Sequence, residues 1–286
     1  NGMLLSRHIR LVAAFDHRHI FIDPTPDTAL SFAERRRLFA QPRSSWADYN
    51  VSTISPGGGV YPRTAKRVQV SAEAARVLDI EPGTLTPSEL IRACLRAPVD
   101  LLWNGGIGTW VKASDEGHEQ ARDRTNDGLR VDGRELRASV VGEGGNLGFT
   151  QAGRIEFALR GADGHGGRIN TDAIDNSGGV HCSDREVNIK IALNEALLRG
   201  QLGREARDRL LAGMTEDVAR FVLRDSAVQS GAISLIESHA AQRLDDHIAL
   251  IRRLAPLSLV WSADASRDRE TSRLLWSPVR ARDRSM

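Results

Sequence analysis

Lysine is almost missing from this chain: of 39 basic residues only Lys66, Lys112 and Lys190 are lysines, which leaves few candidates for a catalytic amine. Cysteine is equally scarce. Cys94 and Cys182 cannot build a disulfide framework and do not sit at zinc-ribbon spacing, so the expected compartment is a reducing cytoplasm and no metal site is expected. Long apolar runs are lacking too. None approaches the roughly 18 residues that a membrane span requires, and the start, Asn1-Gly2-Met3-Leu4-Leu5, carries no signal-peptide pattern. Charge of one sign is also lacking. The formal net charge is +2, and the stretch 254–286, with six arginines against four acidic residues, accounts for it. A neutral body gives no nucleic-acid footprint.

What remains is an ordinary globular composition. The 286 residues (31.3 kDa) are 41% hydrophobic and 27% charged, with a mean hydropathy of −0.33, compatible with two domains or one large α/β domain with a helical annex. A chain near 300 residues buries roughly 75% of its unfolded-state surface without needing crosslinks. The absence of a starting methionine reads as an internal fragment.

Ile9 to Phe15 is a short apolar run ending at Asp16, the pattern of a strand buried on both faces of a parallel sheet. A second run, His19 to Asp23, follows. Thr28 to Phe39 reads as a helix with Thr28 as its cap. Residues 41–70, rich in Gly, Pro and Ser, read as a long loop insertion. Ser71 to Leu78 and Thr86 to Arg96 are predicted helices, the second opening with a Thr86-Pro87-Ser88-Glu89 capping box. Two further strands, Val99 to Trp103 and Arg137 to Val141, stop at glycine-rich turns. Strands alternating with helices predict a doubly wound parallel sheet. From Asp184 onward helical spacing takes over, at Ile189, Leu193, Ala196 and Leu197, then Val218, Phe221 and Val222, then Ile233, Ile236, Ala240, Leu244, Ile248 and Ile251. Past Leu254 no amphipathic face is evident, and a poorly ordered tail is expected.

Three segments recur in kind: Asn104-Gly105-Gly106, Gly144-Gly145-Asn146 and Asn176-Ser177-Gly178-Gly179. In open α/β sheets ligands bind beyond the carboxyl ends of the strands, where glycine lets backbone approach and an Asn amide both donates and accepts. A nicotinamide carboxamide and ribose hydroxyls suit such a lining. Asn-Gly pairs are also common turn chemistry. Asp16 ends the first strand where a dinucleotide fold places the acid that binds the adenosine ribose, about 20 residues after its Gly-rich turn. Counting back puts that turn before residue 1, and a capping aspartate would look the same. If the role holds, the carboxylate favours NAD over NADP, although His17, Arg18 and His19 weaken the preference. Ser183-Asp184-Arg185-Glu186 reads as a capping box opening a helix to about Leu198, whose free N–H groups would also suit a substrate carboxylate. His181 and Cys182 have no ligand pair at usable spacing. Lys112 reads as a loop cation and Lys190 as a solvated helix position.

Three blocks together are specific. Asp100 to Ser114, Val140 to Gly153 and Arg168 to Ile191 closely resemble the large bacterial NAD-dependent glutamate dehydrogenases, as does the segment from Gly2 through Pro24. The likeness runs from residue 1 to about Arg253. It implies oxidative deamination of L-glutamate to 2-oxoglutarate and ammonia with hydride passing to NAD, and a homo-oligomeric full-length parent. Gly144-Gly145-Asn146 and Asn176-Ser177-Gly178-Gly179 look like segments that line the nicotinamide side of the cleft in smaller glutamate dehydrogenases. Asn104, with Gly105 and Gly106, would stand near the cofactor in the same way, and Ser183 falls where those enzymes hold the substrate's side-chain carboxylate.

The resemblance therefore implies an incomplete Rossmann-like domain over 1–183, a helical region over 184–253 and a tail over 254–286. It also implies that the catalytic lysines and the proton-relaying aspartate lie upstream, so the catalytic residues are unassigned here and the chain alone turns over no glutamate. Two departures stand out. Gly161 to His165 lengthens a loop, and 255–286 does not follow the family. A rival reading of another class is a non-catalytic nucleotide-binding or assembly module.

Overall fold

The computed structural model describes residues 5–254, and the expected tail lies outside them apart from Leu254. The chain divides between Asp175 and Asn176 into two compact units. In order, the first contains β1 (Ala13–Phe15), β2 (His19–Ile22), α1 (Thr28–Ala40), β3 (Gly59–Pro62), β4 (Val68–Val70), α2 (Ala72–Leu78), β5 (Gly83–Leu85), α3 (Pro87–Leu95), β6 (Leu101–Asn104), β7 (Val111–Lys112), β8 (Val131–Asp132), β9 (Val140–Glu143), α4 (Gln151–Arg160), β10 (Arg168–Ile169) and α5 (Asp172–Asp175). The second contains α6 (Ser177–Leu198), α7 (Arg204–Gly213), α8 (Thr215–His239) and α9 (Leu244–Leu254). The fold is thus mixed α/β followed by a helical C-terminal region. No helix among the described residues is long and apolar enough to cross a membrane.

The parallel content is concentrated in β10-β9-β6, in that order, with Leu101 opposite Val140 and Asn104 opposite Glu143. A second, two-stranded parallel pair joins β7 and β8. The first predicted strand behaves differently. Only Ala13–Phe15 is a strand, and it pairs antiparallel with β2, itself antiparallel to β3. The cause is local: one Asp16 carboxylate oxygen accepts the N–H groups of Arg18 and His19 at 2.7 Å each, and Asp16 N–H donates to His19 O at 3.0 Å, an Asx-type turn that closes a hairpin and makes the strand antiparallel where a parallel-sheet strand was expected. Upstream, Ser6 O and Ile9 O accept from the guanidinium of buried Arg35 on α1, so that stretch is tied to a helix and is not paired in a sheet.

Residues 41–70 are not a structureless loop. Trp46 and Tyr49 are buried against Phe21, with ring centroids 5.0 and 4.7 Å away, each ring stabilising the fold by roughly 1.5–3 kcal/mol on area grounds. Val68 and Val70 are buried while Gln69 between them is exposed, the period-2 pattern of β4 in its hairpin with β5. Helix α1 is capped by Asp27, whose carboxylate accepts from Ala29 and Leu30 at 2.9 and 2.8 Å, and Thr28 is its first residue. Helix α3 opens as predicted: Thr86 N–H donates to Glu89 at 2.7 Å and Glu89 N–H to the Thr86 hydroxyl at 3.3 Å. Its buried face, Leu90, Ile91, Cys94 and Leu95, joins Val70, Leu78, Val111, Val141 and Phe157 in the main core. Burial pushes the Cys94 thiol up to about 12, so it serves as packing and not as a nucleophile.

Candidate functional site

The carboxyl ends of β6 and β9 lie side by side, because the parallel register sets Asn104 against Glu143. Both strands run straight into their glycine-rich turns, and the turns touch. Gly145 N–H donates to Asn104 O at 3.0 Å. A Cβ on Gly145 would collide with the carbonyl oxygen of Gly106, and one on Gly148 would collide with the Asn104 amide, so backbone meets backbone here only because side chains are absent. The Asn104 Nδ2 is buried without a hydrogen-bond partner, which leaves a donor for whatever enters. Leu147, in the left-handed region at φ 56°, donates its N–H to Asp172 at 2.8 Å.

A buried ionic clamp fixes this turn from behind. Glu143, fully buried, accepts two hydrogen bonds from the Arg154 guanidinium at 2.8 and 2.7 Å on one oxygen and the Phe149 N–H at 3.2 Å on the other. Its own N–H donates to Asp175 at 2.9 Å, and Arg154 lies 3.6 Å from Asp172. Burial pushes the Glu143 carboxyl up, with Arg154 pulling against it; at Asp172 burial also pushes up, but the Leu147 N–H and Arg154 outweigh it and hold the carboxyl below its ordinary range. The clamp ties β9 to α4 and α5 and presents residues 144–148 as a rigid rim. Sequence reasoning passed over Glu143. The available signal was a charged residue closing an otherwise apolar strand, which demands a buried partner.

A cavity of about 1610 Å³ opens in front of these turns. Asp16, Asn104, Gly105, Gly106 and Asn146 all line it, whereas Gly144 and Gly145 are not among its lining residues. Five predicted residues from three separate stretches are thereby brought together. Asp16 contributes from the β1–β2 turn, and Arg63 donates to its carbonyl oxygen at 2.9 Å. Lys112 is not a loop cation: it sits buried on β7, its Nζ donating to Asp132 at 2.6 Å and to Ala113 O at 3.0 Å.

Asn176 and Ser183 belong to the second unit. Asn176 immediately precedes α6, which begins at Ser177, so the capping box predicted at Ser183 does not form. Ser183 is exposed inside the helix. Glu186 does not reach back to it but bonds Lys190 at 3.2 Å and Cys182 at 3.5 Å. The helix begins six residues earlier, at Ser177, and propagates through the four-residue motif, so Ser183 is an interior helical residue and caps nothing.

Comparison with known proteins decides the lineage. The sequence model of the family described as bacterial NAD-glutamate dehydrogenase, catalytic domain, matches residues 1–236. The chain belongs to that family. All candidate residues from Asp16 to Ser183 lie within the matched stretch. Among curated relatives, the NAD-specific glutamate dehydrogenase of Pseudomonas aeruginosa is 55% identical over 251 residues, 88% of this chain, and that of Halomonas elongata 54% identical over 254 residues, 89% of it. The Mycobacterium tuberculosis enzyme of the same name is 53% identical over 260 residues. The chain spans only 15–16% of the length of these glutamate dehydrogenases.

Proposed function

We propose that this chain is the cofactor-binding part of an NAD-dependent glutamate dehydrogenase that deaminates L-glutamate oxidatively to 2-oxoglutarate and ammonia in the cytoplasm. The observation that carries this reading is the meeting of the Asn104-Gly105-Gly106 and Gly144-Gly145-Asn146 turns at the carboxyl ends of adjacent parallel strands, on one cavity. A crevice at that end of a parallel sheet is where dinucleotides bind in Rossmann-like folds, and this domain is read as an incomplete member of that class. The donor set fits the cofactor: the unpartnered Asn104 amide and the Asn146 side chain suit a carboxamide or ribose hydroxyls, and the glycines admit a ligand close to backbone.

Asp16 is assigned to the adenosine ribose. One of its carboxylate oxygens carries both bonds of the hairpin turn, which leaves the other to accept from hydroxyls. Asn176 is assigned to the nicotinamide side and Ser183 to the substrate carboxylate. The Ser183 assignment rests on resemblance to smaller glutamate dehydrogenases alone, since its helix-terminus argument has fallen. NAD, when bound, supplies the hydride acceptor; this chain's part is to hold and orient it. The lysines expected to activate water and substrate are not among Lys66, Lys112 and Lys190, so the chain by itself is assigned no turnover.

Calorimetric titration with NAD and with AMP tests the reading. A dehydrogenase half binds NAD at least tenfold more tightly than AMP, because the nicotinamide adds contacts at Asn104 and Asn146, and Asn104→Ala removes most of the difference. Equal affinity for both ligands would favour an adenylate-sensing assembly module instead.

A further inference from the structure

Each of the two turns that meet at the cavity is followed by a large apolar side chain that the fold leaves uncovered. Ile107 comes directly after Asn104-Gly105-Gly106 and is 89% exposed, and Leu147 comes directly after Gly144-Gly145-Asn146 and is 65% exposed; both line the cavity. A lone exposed apolar residue needs no explanation, but these two stand on adjoining turns at the mouth of one pocket. Gly145 N–H donates to Asn104 O, and the Gly106 carbonyl occupies the space that a Gly145 side chain would need, so the next residues on each turn share a rim.

Leu147 is also held against its own preference. Among the described residues six other than glycine have positive φ, and Leu147 is the one large apolar side chain of the six. Left-handed backbone suits glycine or asparagine, is disfavoured by a bulky side chain, and persists only where the surroundings dictate it. Here they do. Leu147 N–H donates to Asp172 at 2.8 Å, and the carbonyl of the next residue, Gly148, accepts from Trp110 and Val111 at 2.8 and 3.2 Å. The backbone alone would be better served by glycine, and the core gains nothing from a leucine exposed at this point, so the side chain has its use in what enters the cavity.

We propose that Ile107 and Leu147 form an apolar seat for the nicotinamide ring of the cofactor, one face of the ring resting on the two side chains while the amides of Asn104 and Asn146 serve its carboxamide and ribose. The inference rests on the cofactor reading above and adds two contact residues to it. Its warrant is the match between a divided ligand and a divided rim. A nicotinamide is polar at its carboxamide edge and apolar across its faces, and small-molecule sites pair a mainly apolar lining with a few placed polar groups. The polar part of the rim is the buried, unpartnered Asn104 Nδ2 with Asn146 beside it on the cavity; the apolar part is Ile107 and Leu147. A ring seated in this way presents only its other face to a substrate.

Calorimetric titration of the 286-residue chain with NAD and with AMP tests the seat. Ile107→Ser and Leu147→Gly combined should weaken NAD binding at least about tenfold, the scale on which apolar contacts discriminate ligands, and leave AMP binding unchanged, because AMP has no nicotinamide. Leu147→Met keeps an apolar side chain and should bind NAD as the parent does. Phe39, also exposed and lining the same cavity from α1, is the control, and Phe39→Ser should alter neither ligand. An NAD loss from Phe39→Ser or Leu147→Met as large as that of the double variant would overturn the proposal. Stability supplies a second readout. Leu147→Gly relaxes the backbone, so its urea midpoint should stay level or rise, and a fall would overturn the proposal by showing that the leucine holds the fold. If the double variant keeps the parent's preference for NAD over AMP, the seat is overturned and the dehydrogenase reading stands; if the parent itself shows no preference, both fall.

Discussion

Two glycines a few ångströms apart make opposite demands. A methyl group on Gly145 would enter the carbonyl oxygen of Gly106, part of a backbone that β6 holds in place, whereas a methyl on Gly106 meets nothing within 4 Å. Gly145→Ala should therefore lower unfolding stability by about 1–3 kcal/mol, the usual range for forced overpacking, and weaken NAD binding by moving Asn146. Gly106→Ala should stay within about 0.5 kcal/mol of the parent. Urea denaturation of the two variants checks this, and equal midpoints would show that the turns do not meet as described. The distinction between the two residues was not legible in the sequence. Asn104-Gly105-Gly106 and Gly144-Gly145-Asn146 announced themselves as close-approach turns because each follows an apolar run. Which glycine faces the other turn depends on the β6·β9 register, a long-range fact. Glu143 escaped for the same reason: its partner Arg154 lies eleven residues on, across the turn that the pair holds.

Elements were readable where their signals are local. Helix α3 begins at its capping box because Thr86 and Glu89 satisfy each other within four residues. The same motif at Ser183 failed, since a capping box needs a chain that is not yet helical and α6 has already begun six residues earlier. Helix α1 shows how an element recruits a loop that composition alone marks as irregular. Glu34 takes two hydrogen bonds from Arg37, at 2.9 and 2.6 Å, and the N–H of Asn50 at 2.7 Å from within 41–70. The Arg37 bonds, over burial's opposing push, hold the Glu34 carboxyl below its ordinary 4.5. A depressed carboxylate binds protons less readily when folded than when unfolded, so its stabilisation is present above the ordinary value and is lost as pH falls through the folded one. Glu34→Gln should lower stability by about 1–3 kcal/mol at pH 7, and the gap between variant and parent should shrink as pH drops from 5 to 3. Thermal melts across that range measure it; a gap constant with pH would mean that Glu34 acts through packing alone.

At the scale of the molecule the two units differ in how much they bury. The first encloses a core from Ile20 to Phe157 and a second aromatic cluster around Phe21 and Trp46. Among the described residues of the second, Ser177, Val218 and Ala240 are buried, while Leu198, Leu223 and Leu235 are 83%, 71% and 63% exposed. Apolar spacing in the sequence marked the region as helical but missed α7 and ran the end of α8 together with α9, and spacing says nothing of whether another element covers an apolar face. Helices draw most of their stability from packing an apolar face and little from propensity, so the second unit should be the weaker. A deficit of about 2 kcal/mol corresponds to roughly 10 °C for a unit of this size. Heating should then give two transitions. Ellipticity at 222 nm should fall first as α6 to α9 melt, with the near-ultraviolet signal of packed Phe21, Trp46 and Tyr49 persisting to the higher step. Coincident loss of both signals in one calorimetric peak would mean that the helices share the stability of the α/β unit, and that their apolar faces are covered in the folded chain.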